Sequence, residues 1–108
     1  METIKTHTDE RGVARVTLSR PEVHNAFNIA LIEDLQQTFH RLGQDDKVRV
    51  IVLEGEGKHF SAGADVSWMR EQAEASFEKN HQGATRMAQA FEAIDRCPKP
   101  VVARIQGA

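Results

Sequence analysis

Val48–Gly55 reads VRVIVLEG, with Val50, Ile51, Val52 and Leu53 in one unbroken apolar run. Glycines at 55, 57 and 63 bracket the segment that follows it, GEGKHFSAGAD. Three β-branched residues in so short a run predict a strand, and its lack of alternation predicts burial on both faces, as in a sheet covered by helices. The segment after it is too rich in glycine for regular structure. A loop directly after a buried strand and before a new helix is where open α/β folds place ligands.

The rest of the chain fits around this strand and loop. Ile4–Thr8 and Val13–Ser19 read as a hairpin turned at Asp9–Gly12, because polar and apolar residues alternate through Val16 and Leu18 and Pro21 stops the run. Asn25 and Asn28 are candidate helix caps. Leu31, Ile32, Leu35, Phe39 and Leu42 then recur at helical spacing, predicting an amphipathic helix from about Ile29 to Leu42 with Gly43 as terminator. A short helix starts at Asp65 and runs through Trp68, Met69 and Arg70. A longer one places Phe77, Ala84, Met87, Ala88, Phe91 and Ile94 on one face and ends at Cys97-Pro98. Val101–Ile105 starts a further strand. The order ββ, α, β, loop, α, α, β predicts an α/β domain with crossover connections. A last strand with no covering helix after it leaves an open sheet edge, so either another chain is expected to supply the cover or the domain is incomplete at its C-terminus.

Several function classes are excluded at this level. At about 100–200 residues per domain, 108 residues allow one domain. No stretch approaches the roughly 18 consecutive apolar residues of a membrane span, and the first residues lack the apolar core of a signal peptide, so a cytoplasmic location is expected. The 14 basic residues are scattered among 16 acidic ones, for a net charge of −2, which argues against nucleic acid as a partner. Cys97 is the single cysteine, so no internal disulfide or cysteine-based metal cage can form, and the five histidines lack metal-ligand spacing.

Three segments in this order and spacing, RPEVHNAFN at Arg20–Asn28, HFSAGADVSWM at His59–Met69 and PKPVVARIQGA at Pro98–Ala108, resemble the crotonase superfamily, the enoyl-CoA hydratase/isomerase family. The resemblance covers the whole chain but only the N-terminal part of the family's usual length. It implies a crotonase-like ββα superhelix, N-terminal half only, with residues 1–108 forming a partial acyl-CoA-binding domain. The Trp68-Met69 pair looks most like the branch that handles methylglutaconyl-CoA and related branched acyl-CoA esters.

The chemistry implied is stabilisation of an enolate. When water adds to an α,β-unsaturated thioester, negative charge gathers on the carbonyl oxygen, and fixed backbone N–H groups stabilise it. Small residues are needed so that the thioester can approach the main chain, and Gly63 with its neighbouring alanines meets that need. By match to the family motif, the Ala64 N–H is one half of the oxyanion hole, at the start of a helix whose first N–H groups are free. The resemblance places Val23, Ala26 and Ala62 at the adenine end of coenzyme A, with His24 beside the pantetheine path and Asp65 and Val66 lining the same pocket. Coenzyme A is the substrate carrier, and no metal or redox cofactor is implied. The family's second oxyanion donor and catalytic glutamates match no residue of this sequence, so the 108-residue chain alone is expected to be inactive. Full-length relatives imply a homo-oligomer.

Each of these residues also has a plainer reading. Ser61 lacks the surroundings of a nucleophile. His59 is expected to be a solvent-exposed histidine. Asp65 reads as a helix cap, and Trp68 and Met69 serve equally well as packing residues or acyl contacts. Glu92 and Arg96 are one helical turn apart and suited to pairing, and Cys97 reads as a small packed residue. The competing functional reading is a truncated, non-catalytic module that binds coenzyme A or pairs with another chain through its open sheet edge.

Overall fold

The computed structural model describes residues 3–107. Strands β1 (Ile4–Thr8), β2 (Val13–Leu18), β3 (Val50–Gly55) and β4 (Val101–Ala103) form one sheet in that order. The β1–β2 pair is antiparallel, and the β2–β3 and β3–β4 pairs are parallel. Helix α1 (Ile29–Gly43) connects β2 to β3, and α2 (Val66–Glu74) and α3 (Phe77–Asp95) connect β3 to β4.

The hairpin turn follows the sequence pattern. Asp9 Oδ1 accepts from the N–H groups of Arg11 and Val13 at 2.9 and 3.0 Å. Gly12 takes φ +88°, and a Cβ there would meet the Lys47 carbonyl at 2.8 Å, so the turn requires glycine. Helix α1 is capped by Asn28, whose side chain accepts from the Leu31 N–H at 2.9 Å. Its stripe of Leu31, Leu35, Phe39 and Leu42 packs on Ala14, Val16 and Leu18 of β2 and on Ile51 and Leu53 of β3, making the main core. Ile32 points sideways into a smaller cluster with Trp68 and Ala90, against which Phe27, Ala64 and Met87 pack.

The sheet is covered on one face. Ile51 and Leu53 are buried toward α1, but Val50, Val52 and Glu54 are half-buried, so β3 is not buried on both faces. The reason is chemical: Glu54 on the far face pairs with Arg15 at 3.0 Å and Arg104 at 3.6 Å, a charged surface that needs water. Strand β4 stops at Ala103 instead of Ile105. Beyond it the Arg104 N–H still donates to the Leu53 carbonyl at 2.8 Å, and the Gln106 side-chain amide donates to the carbonyls of Gly55 and Gly57 at 2.7 and 3.1 Å.

Two further expectations are corrected. Gly43 is the last residue of α1 without a left-handed φ; a Cβ there would sit 3.0 Å from Pro98, so close packing explains the glycine. The buried stripe of α3 is Gly83 and Ala90, with Met87, Ala93 and Ile94 half-buried. Ala84, Ala88, Phe91 and Phe77 lie exposed, Phe77 by 86%. Helix α1 lies against the 87–90–94 side and Gly83 against Gln72 of α2, while on the other side the Phe91 ring stands edge-on to Phe27 with centroids 5.7 Å apart.

Candidate functional site

The two loops singled out in the sequence meet in space, and Asn25 joins them. Pro21–Val23 forms one turn of 3-10 helix, after which His24 and Asn25 take φ values of +53° and +57°. Left-handed backbone at consecutive non-glycine residues is held here by the contacts Asn25 makes. Its side chain is fully buried. Its Oδ1 accepts from the Arg20 N–H at 2.8 Å, and its Nδ2 donates to the carbonyls of Glu56 and His59 at 2.8 and 2.9 Å. These bonds occupy the Asn25 amide, so of the two candidate caps Asn28 alone caps α1. The Ser61 hydroxyl donates to the Asn25 carbonyl at 2.9 Å and accepts from the Gly63 N–H at 3.2 Å, which makes it a loop brace. Gly55 completes the fit, because a Cβ there would fall 2.5 Å from the Phe60 carbonyl.

Phe27 then pins the peptides around Ala64. The Phe27 N–H donates to the Gly63 carbonyl at 2.6 Å, and its own carbonyl accepts from the Asp65 N–H at 2.7 Å, forming an isolated parallel bridge between Phe27 and Ala64. The Gly63 carbonyl and the Ala64 N–H belong to one trans peptide group, so they point in opposite directions. With the oxygen turned to Phe27, the Ala64 N–H faces away from it. No hydrogen bond among the described residues uses that N–H. By contrast the Ala62 N–H donates to the His24 carbonyl at 2.9 Å. Gly63 has φ +88°, and a Cβ built there meets nothing within 4 Å, so the space beside the peptide is open.

Asp65 anchors the start of α2. Its Oδ1 accepts from the N–H groups of Ser67 and Trp68 at 2.8 and 3.2 Å, and its Oδ2 pairs with Arg20 Nη2 at 3.2 Å. The Trp68 N–H, with help from the Arg20 guanidinium and the Ser67 N–H, holds the Asp65 carboxyl below its ordinary value of 3.8, against the opposing effect of burial. The other guanidinium arm of Arg20 donates to the Ala26 carbonyl.

The structure thus brings Ala26, Gly63, Ala64 and Asp65 together and places His24 against Ala62. Val23 is half-buried, and Val66 on the first turn of α2 is 59% exposed. His59 is half-buried, not solvent-exposed; its ring stands edge-on to that of His24 with centroids 4.6 Å apart, and a Cβ on Gly107 would meet its Nδ1 at 2.5 Å. Trp68 is a packing residue against Ile32 and Ala90, while Met69 is 48% exposed. Glu92 and Arg96 pair at 3.7 Å on the surface, and Cys97 is half-buried against the core. Arg20, Asn25 and Phe27 were not singled out from the sequence as site residues. Their signal is spacing: an Arg-Pro turn followed by an asparagine ahead of a small residue. Among the described residues no group of three or more His, Cys, Asp or Glu could hold a metal ion, and no helix is long and apolar enough to cross a membrane.

This is the crotonase fold over the N-terminal part of its length, and comparison with known proteins assigns it. A crystal structure of an enoyl-CoA hydratase from Shewanella pealeana superposes with a TM-score of 0.93 at 34% identity, over 97% of this chain and 39% of that one. The family model for enoyl-CoA hydratase/isomerase matches residues 8–108, and the chain belongs to that family. An enoyl-CoA hydratase of Alternaria alternata is 38% identical over 98 residues, 91% of this chain and 31% of the relative. The mitochondrial Delta(3,5)-Delta(2,4)-dienoyl-CoA isomerase of Mus musculus is 32% identical over 117 aligned residues, 98% of this chain and 35% of the relative. The chain therefore spans about a third of the length of these curated relatives.

Proposed function

We propose that this chain supplies the first oxyanion donor and much of the coenzyme A rim of an enoyl-CoA hydratase-type site. The observation that carries the reading is the Ala64 N–H, held outward by Phe27 and used by no described residue. A thioester carbonyl placed beside Gly63 would accept from it, and the donor would strengthen its hold as the oxygen gains enolate charge. Val23, His24, Ala26 and Ala62, with Asp65 and Val66, form the rim along which coenzyme A would lie. Asp65 serves this site as an anchor, since its carboxylate is occupied by the cap and by Arg20. For a branched acyl chain, Met69 is the exposed member of the Trp68-Met69 pair and the one free to touch it. In the whole enzyme, loss of one such donor would cost about 10²–10³ in rate.

The relatives include both a hydratase and an isomerase, and the hydratase reading rests on the wider resemblance. The 108-residue chain alone is expected to hydrate no crotonyl-CoA, because nothing in it matches the family's acid and base. Its direct test is binding. With ¹⁵N-alanine labelling, butyryl-CoA should shift the Ala64 amide resonance and free coenzyme A should not, while Ala26 and Ala62 respond to both. An Ala64 resonance indifferent to the thioester would sink the oxyanion reading.

A second reading, a partner-pairing module, draws on the exposed Val102 of β4 and on Ile105 just beyond it, 56% and 66% accessible. Gel filtration separates the two: a monomer that binds butyryl-CoA supports the site, and a self-associating chain without affinity supports the module.

A further inference from the structure

We propose that Arg20 is a positioning residue for the Ala64 N–H, polarising it through two consecutive peptide groups. This rests on the reading of Ala64 as the oxyanion donor. Arg20 donates to the Ala26 carbonyl. That carbonyl shares its peptide group with the Phe27 N–H, which donates to the Gly63 carbonyl at 2.6 Å. The Gly63 carbonyl in turn shares its peptide group with the Ala64 N–H. The result is one chain: guanidinium, Ala26–Phe27 peptide, Gly63–Ala64 peptide, then the open space.

Every link points the same way. A cation at the acceptor end of a peptide draws electron density toward its oxygen and leaves its N–H a stronger donor, and the next peptide in line responds likewise. Screening is weak here, because the Arg20 side chain is 15% exposed and its partner Asp65 13%. The second guanidinium arm, on Asp65 at 3.2 Å, fixes Arg20 to the residue that follows Ala64. The Arg20 N–H is itself held by the Asn25 side chain at 2.8 Å, so the start of the chain is anchored as firmly as its end. An arginine serving only as a surface partner for Asp65 would need neither burial nor the Ala26 carbonyl. Arg86 and Glu33, which pair at 2.7 Å on the surface, show that arrangement.

The geometry separates polarisation from simple anchorage. Arg86→Met removes a surface ion pair outside the site and serves as the control. Arg20→Met removes the source of the polarisation, and Arg20→Gln keeps a donor but not the charge. The readouts are the Ala64 amide response in the ¹⁵N-alanine spectrum and the ratio of butyryl-CoA to free coenzyme A affinity. Arg20→Met is expected to lower that ratio about three- to tenfold, the worth of one hydrogen bond. Free coenzyme A should bind as before, Arg20→Gln should fall between, and Arg86→Met should retain the wild-type ratio.

Three results overturn the inference while leaving the Ala64 reading intact: an unchanged ratio in both Arg20 variants, an equal loss of affinity for both ligands, or a loss in Arg86→Met as large as in Arg20→Met. If wild-type Ala64 ignores the thioester, the underlying reading fails instead. A measurement on the wild-type chain guards against variants that do not fold. The scalar coupling across the hydrogen bond from the Phe27 nitrogen to the Gly63 carbonyl carbon must be detectable, and its absence breaks the chain of peptides outright.

Discussion

The half of the molecule built from β1, β2, α1 and β3 differs sharply from the half built from α2, α3 and β4. In the first, Leu18, Leu31, Leu35, Phe39, Leu42 and Ile51 are at most 2% exposed and pack into one core. In the second, Phe77, Phe91, Val102 and Ile105 range from 44% to 86% exposed, and burial is confined to Trp68, Gly83 and Ala90. Hydrophobic pattern alone does not distinguish them, since α1 and α3 both carry periodic apolar residues. What differs is whether an opposing surface is present to receive the stripe.

Stability should divide along that line. Phe39→Ala removes a fully buried ring from between α1 and the sheet and is expected to cost about 3–5 kcal/mol. Phe77→Ala, on a ring 86% exposed, should change stability by less than about 0.5 kcal/mol. Urea unfolding of the two variants checks this, and equal losses would show that α3 is covered in solution.

This contrast also explains what was legible in the sequence. The hairpin, α1 and its buried residues could be read because each pattern met its partner within the chain: Leu31, Leu35, Phe39 and Leu42 on β2 and β3. The same periodicity puts Phe77, Ala84, Ala88 and Phe91 on one face with Met87 and Ile94, but α3 instead buries its small residues, Gly83 against α2 and Ala90 against Ile32 and Trp68. A Cβ on Gly83 would meet the Gln72 side chain at 2.5 Å, and that close approach of α2 to α3 leaves no periodic apolar signal. At the site, the glycine-rich loop announced itself, whereas Arg20 and Asn25 did not. Their work depends on a fold that brings residues about 35 positions apart together, as in the bond from Asn25 to the His59 carbonyl.

Between the two halves lies Asn25, and it is the sharpest test of whether the site belongs to the stable half. Asn25→Ala leaves the carbonyls of Glu56 and His59 and the Arg20 N–H without partners in a buried setting, with a left-handed φ that alanine resists. A loss of about 2–3 kcal/mol is expected. Hydrogen exchange should show faster exchange at the Ala62 and Gly63 amides with little change in α1. Uniform loosening of the whole chain would instead merge site and core into one cooperative unit.

The smallest loss expected within the site belongs to Asp65, at the first residue of the weaker half. Asp65→Ala removes the α2 cap and the Arg20 partner and should cost about 1 kcal/mol. Its pH dependence has a definite sign. The folded carboxyl titrates below the unfolded value of 3.8, so its contribution is fully present above that value and is lost as pH falls through the lower folded value. Stability of the wild-type chain should therefore drop more steeply below about pH 4 than that of Asp65→Asn, which caps the helix without titrating. Parallel acid unfolding curves for the two would mean that α2 is already loose above pH 4, with Trp68 held by Ile32 and Ala90 instead of by the cap. The Ala64 N–H would then owe its direction to Phe27 alone, and the boundary between the two halves would fall before Asp65.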